Sequence, residues 1–295
     1  MGDNQDLLRK YRPKHEYFIG FDSDGCVFDT MEIKQKECFC PNNIKYFQLQ
    51  PIAKYAREAV EFVNLYSKWR GGNRFPALLK VLDLLAEREE VKARGFRFIE
   101  LQSFRDWVAS GTPLSNETLK EMAEKTGDPI LKKVLDWSLA VNKAIEGLVF
   151  GIPPYPYVKE SLEKLSSRAD LICISQTPSE ALEREWTEHG IAKYAALIAG
   201  QELGTKKEHL KLTAVGKYQP NHILMVGDAL GDMEAAKANG ALFYPINPGN
   251  EVKSWQCFYQ EALDRFFDGT YQGEYEARLI KDFQSLLPET PPWIR

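Results

Sequence analysis

Five short, mostly apolar runs constrain this sequence more than any other feature: Tyr17–Phe21, Leu171–Ile174, Ala196–Ala199, His222–Val226 and Ala241–Tyr244. Each is too short for an ordinary helix and reads as a buried strand. Helical patterns at Val158–Leu165, Glu180–His189, Glu208–Val215 and Asp232–Asn239 alternate with the last four runs. Strands alternating with helices imply βαβ units and a parallel sheet covered on both faces. Two more helices follow at Val252–Phe267 and Tyr275–Leu287, and Pro288–Arg295 reads as an extended tail.

The first and second runs are separated by a long segment with helical periodicity. Ile44–Trp69 places Ile52, Tyr55, Ala56, Ala59, Phe62, Val63 and Tyr66 at helical intervals, and Phe75–Val91 repeats the pattern. Ser115 reads as a helix cap, and Gly127-Asp128-Pro129 as a break before a helix over Ile130–Leu148. The expected fold class is therefore α/β, a Rossmann-like parallel sheet core with an inserted all-helical cap. The core is expected over 15–30 and 151–270, the cap over 31–150, and a C-terminal helix and tail over 271–295. Binding sites in open parallel sheets lie beyond the carboxyl ends of the strands, so an insertion leaving the first strand there is placed to act as a lid.

Composition excludes several classes of function. A net charge of -4 and the lack of a basic run argue against a nucleic-acid partner. No apolar stretch approaches the length of a membrane span, and Met1 to Lys14 lacks the apolar core of a signal peptide. The 5 cysteines are scattered and have no zinc spacing, which suits a reduced, cytoplasmic protein. The four histidines have no partner at motif spacing.

Polar residues cluster just after the apolar runs: Asp22, Asp24 and Asp29 after the first, Ser175-Gln176-Thr177 after the second, and Gly227-Asp228 with Asp232 after the fourth. Gly204-Thr205-Lys206-Lys207 lies between the latter two. Carboxylates gathered by a sheet form a hard oxygen-ligand site for Mg²⁺. A phosphate monoester on that cation then needs positive charge and donors, which Lys206, the Ser175 hydroxyl and backbone N–H groups can supply. A carboxylate in such a place can act as nucleophile and its neighbour as acid and base.

Asp22-Ser23-Asp24-Gly25-Cys26-Val27-Phe28-Asp29-Thr30 resembles the D-x-D-G-x-x-x-D-T signature of the haloacid dehalogenase superfamily of phosphohydrolases, in particular members with a helical cap after the first motif. The resemblance implies that Asp22 is nucleophile and metal ligand, and that Asp24 is the acid/base, binding metal through its carbonyl. It implies that Ser175 binds the phosphoryl group, and Gln176 is taken with it. Lys206 is similar to the third-motif lysine, with Lys207 nearly as good a fit. Gly227-Asp228 through Asp232, continuing to Ala235-Ala236, is similar to the fourth motif, with Asp228 a metal ligand and Asp232 supporting. Cys26 and Gln176 depart from the commonest residues at their positions, which bears on substrate preference. The implied activity is a Mg²⁺-dependent phosphatase acting on a small phosphorylated metabolite through an aspartyl-phosphate on Asp22. A sugar phosphomutase and a non-catalytic binding protein of the same fold are the alternatives.

Overall fold

The computed structural model describes residues 5–294; the first four residues of the polar N-terminal stretch and Arg295 of the tail lie outside the described residues. The chain divides into two compact units. One comprises the residues up to Met31 together with Gly151–Leu287, the other Glu32–Phe150 with the segment from Pro288 onward.

The first unit is built on five parallel strands, β1 Tyr17–Phe21, β2 Ala169–Ile174, β3 Leu197–Ala199, β4 Ile223–Gly227 and β5 Leu242–Pro245, in the order β3-β2-β1-β4-β5. The apolar runs are continuous because both faces are covered. Ile19, Phe21, Leu171, Cys173, Leu224 and Val226 point to one core, with Leu162, Trp186, Trp255 and Phe258. Phe18, Ile172, Ile174, Met225 and Phe243 point to the other, with Leu210, Ala236 and Phe283. This division is the period-2 alternation of strand side chains. β2 starts earlier than its apolar run, taking in Asp170, whose buried carboxylate accepts from Lys14 N (2.8 Å), His15 N (3.0 Å) and the Tyr218 hydroxyl (2.6 Å). A buried carboxylate is tolerated only when paired in this way. The same Asp170 gives His15 Nδ1 a partner at 3.0 Å.

The C-terminal helix Glu274–Ser285 belongs to this unit: Phe283 is buried against the sheet, and the Glu276 carboxylate accepts from Phe243 N of β5 at 2.9 Å. The tail after it belongs to the other unit, where Trp293 meets the Phe62 ring at 5.6 Å and Lys68 pairs with Glu289 at 2.5 Å. The 271–295 stretch, one segment in the sequence reading, is thus shared between the two units.

The second unit is helical around its own apolar core. The Ile44–Trp69 pattern forms two helices, Cys40–Tyr46 and Ala53–Leu65. Pro51 lies between them, and a proline cannot continue a helix from the preceding turn. Asn73 caps Arg74–Glu87 by accepting from Phe75 N, Ser115 and Thr118 form a capping box on Asn116–Thr126, and Asp128 caps Pro129–Leu148. Gln102–Ala109 is a further helix, which carries no side-chain cap to mark its start. Among the described residues no helix is long and apolar enough to cross a membrane.

Candidate active site

The register of the sheet brings the strand ends together. Phe21 is opposite Cys173 on one side and Val226 on the other, so Asp22, Ser175 and Asp228 emerge at the carboxyl ends of three neighbouring strands. The chain turns to one side of β1 for β2 and β3 and to the other for β4 and β5. Ligands bind at such a switch point in open α/β sheets.

Asp22 is fixed by its own backbone, its N–H donating to Val226 O at 3.0 Å, while Ser23 N donates to its Oδ1 at 2.8 Å. The loop that follows folds back on itself. Ser23 O accepts from Cys26 N (3.3 Å), Val27 N (2.8 Å) and Phe28 N (3.1 Å), and Gly25 turns at a φ of 76° that a side chain would strain. Two buried indoles hold this loop, Trp186 Nε1 donating to Ser23 Oγ at 3.1 Å and Trp255 Nε1 to Cys26 O at 2.8 Å.

Lys206 opens the helix Lys206–Thr213, and its Nζ lies 2.7 Å from Asp22 Oδ2 and 2.6 Å from Asp232 Oδ1. Lys207 is exposed, so Lys206 is the lysine at the carboxylates. Asp232 Oδ2 in turn accepts from Asp228 N (3.1 Å) and Ala229 N (3.0 Å), which orders the loop after β4. Gly227 is required there because a Cβ would lie 2.4 Å from the Asp232 side chain. Asp22, Asp228 and Asp232 each offer an oxygen within 4.8 Å of the others, all three buried. That donor set, hard and anionic, fits a divalent cation.

Burial raises the Asp22 pKa well above the ordinary carboxylate value, the Asp232 and Asp228 charges add to the shift, and Lys206 opposes it. Burial works against the Lys206 ammonium, but Asp22 and Asp232 outweigh it and lift its pKa above that of an ordinary lysine. Cys26 is fully buried, its thiol directed to Val226 O at 3.6 Å, and burial followed by the nearby carboxylates pushes its pKa far up. Such a thiol is a packing element and not a reactive thiolate.

Asp24 stands apart from the trio. Its Oδ2 accepts from the Thr177 hydroxyl at 2.6 Å, and its Oδ1 accepts from the Thr30 hydroxyl. Ser175 is nearly fully buried, its N–H donating to Ala199 O at 3.0 Å and its Oγ accepting from Thr177 N at 3.2 Å. Gln176 turns its amide nitrogen to Gly204 O (3.0 Å) and Ser175 O (3.3 Å), tying two loops together. Thr177, Trp186 and Trp255 were not singled out for the site from sequence. Thr177 follows Ser175 closely and could have been suspected, whereas nothing local marks the two indoles.

Over residues 106–244 the chain matches the family model of haloacid dehalogenase-like hydrolases. That stretch contains Ser175, Lys206, Asp228 and Asp232; Asp22 and Asp24 precede it and join the same strand ends through β1. The chain is similar to the phosphoglycolate phosphatases of two Vibrio vulnificus strains, each 30% identical over 125 residues, which are 39% of this chain and 55% of the relative. It thus spans about half the length of the curated relatives it matches. Among solved structures it resembles a haloacid dehalogenase-like family hydrolase of Streptococcus pneumoniae (16% identity, 81% of this chain and 90% of that one, TM-score 0.43). A second is a HAD-superfamily hydrolase, subfamily IA, of Geobacter sulfurreducens (18% identity, 80% and 89%, TM-score 0.38). The family-model match over 106–244 makes that part of the chain similar to the haloacid dehalogenase-like hydrolases.

Proposed function

We propose that the chain is a phosphoric monoester hydrolase acting on a small phosphorylated metabolite, with Asp22 as nucleophile and Asp24 as proton donor and acceptor. The observation that supports it most is the Asp22–Lys206–Asp232 chain of contacts beside Asp228 at the carboxyl ends of β1 and β4. Asp22 and Asp228, with the Asp24 carbonyl, are the residues we assign to Mg²⁺, and Asp232 supports them. When bound, the cation neutralises charge on the transferring phosphoryl oxygens.

Asp22 attacks phosphorus in line as the bond to the leaving oxygen breaks. Asp24 delivers its proton to that oxygen, so an alcohol departs and Asp22 carries the phosphoryl group. Asp24, now a carboxylate, takes a proton from water. The resulting hydroxide attacks phosphorus, the bond to Asp22 breaks, and inorganic phosphate leaves. Lys206 holds a fixed positive charge beside the reacting oxygens. We assign the Ser175 hydroxyl to hydrogen-bond the phosphoryl group, and Gln176 to bracing its loop against Gly204. We read the helical unit, which leaves the chain just after the first motif and returns before Val158, as the lid that selects substrate.

Hydrolysis of p-nitrophenyl phosphate and phosphoglycolate, the latter named by two relatives, tests this reading. Activity should need Mg²⁺ and disappear with EDTA, and Asp22→Asn should lower kcat by at least about 1,000-fold. Mg²⁺ should also raise the Tm of the wild type and leave Asp228→Asn unmoved. Undiminished turnover by Asp22→Asn would overturn the mechanism. An isomerised sugar phosphate formed without free phosphate would point to a mutase.

A further inference from the structure

We propose that Thr177 is a positioning residue for Asp24, its hydroxyl fixing the carboxyl group of the acid/base; the inference rests on the role given to Asp24 above. The Thr177 hydroxyl lies 2.6 Å from Asp24 Oδ2, and the Thr30 hydroxyl occupies the other oxygen. A threonine hydroxyl donates one hydrogen bond and accepts others. It donates to Asp24 Oδ2 and so holds the carboxyl group, while the acid's single proton remains for the leaving oxygen. A methyl group in place of the hydroxyl would supply no such hydrogen bond.

Residue 177 is itself rigidly placed. Its N–H donates to Ser175 Oγ at 3.2 Å and its carbonyl accepts from Gln201 N at 3.1 Å. Gly200 passes so close that a Cβ would lie 2.7 Å from Thr177 O and 2.5 Å from Ser179 N. One residue thus joins the phosphate-binding hydroxyl of Ser175, through its backbone, to the carboxyl of Asp24, through its side chain. The loop after β2 therefore sets the proton donor and the phosphoryl site in a fixed relation.

The test uses the leaving group. An alkyl phosphate expels a poor leaving group that needs its proton, whereas p-nitrophenolate leaves without one. Because kcat/KM includes the leaving-group step but excludes hydrolysis of phospho-Asp22, it is the quantity to compare. Thr177→Val should lower kcat/KM for phosphoglycolate or ethyl phosphate about 10-fold or more beyond its effect on p-nitrophenyl phosphate, within the contribution of a general acid. Thr177→Ser should restore it, and Thr177→Ala serves if the valine does not fold. Asp24→Asn should show the same selectivity, more strongly. An equal loss on both substrates, or none, in Thr177→Val or Thr177→Ala overturns the inference. If Asp24→Asn is selective and the Thr177 variants are not, the positioning role alone fails. If Asp24→Asn shows no selectivity, the acid/base assignment falls and this inference with it.

Discussion

His209 lies wholly inside the α/β unit, with neither ring nitrogen hydrogen-bonded. Burial lowers its pKa to about 4, because the interior solvates the imidazolium far less well than water does, and the nearby Glu208 charge only partly offsets this. The folded state thus resists a proton that the unfolded chain accepts near pH 6.5. Its contribution to stability is fully present above that value and is lost as pH falls toward 4. The shift corresponds to about 3 kcal/mol over that window. Denaturant titrations at pH 7 and 4.5 should show a smaller loss in His209→Leu than in the wild type. Equal losses in both would remove His209 as the cause.

At the scale of elements, the loops after β1, β2 and β4 are held by contacts that a β-carbon or a lost indole would disturb. The loop after β4 is the clearest case, since Asp232 lies against the backbone of Gly227 while bonding two N–H groups and Lys206. Gly227→Ala would force the carboxylate away. A displacement of about 1 Å at such a site lowers activity about 100-fold. We expect that loss in kcat, together with weaker Mg²⁺ binding by calorimetry and an unchanged far-UV spectrum. Near-normal turnover would mean that the Asp232 position is not demanding.

The whole chain consists of two units with separate apolar cores, each a condition for folding alone. A chain joining Met31 to Gly151 through a short linker and ending at Leu287 removes the helical unit together with its C-terminal segment. It should retain hydrolysis of p-nitrophenyl phosphate and lose discrimination among metabolite phosphates. Unchanged substrate preference would take the lid role away from the helical unit.

The apolar runs and the helices between them determined the parallel sheet, because a strand buried on both faces must be apolar throughout. Asp22, Ser175 and Asp228 were legible as candidates for a related reason, each standing just after a strand, where a parallel sheet gathers its polar groups. What the sequence left open was decided by contacts between distant residues. Lys206 reaches the carboxylates and Lys207 is exposed, a choice set by the start of the helix Lys206–Thr213. Asp24 meets Thr177 across 153 positions, and Trp186 meets Ser23 across 163. No local pattern encodes such pairings, because they arise only when packed strands fix where each loop can go.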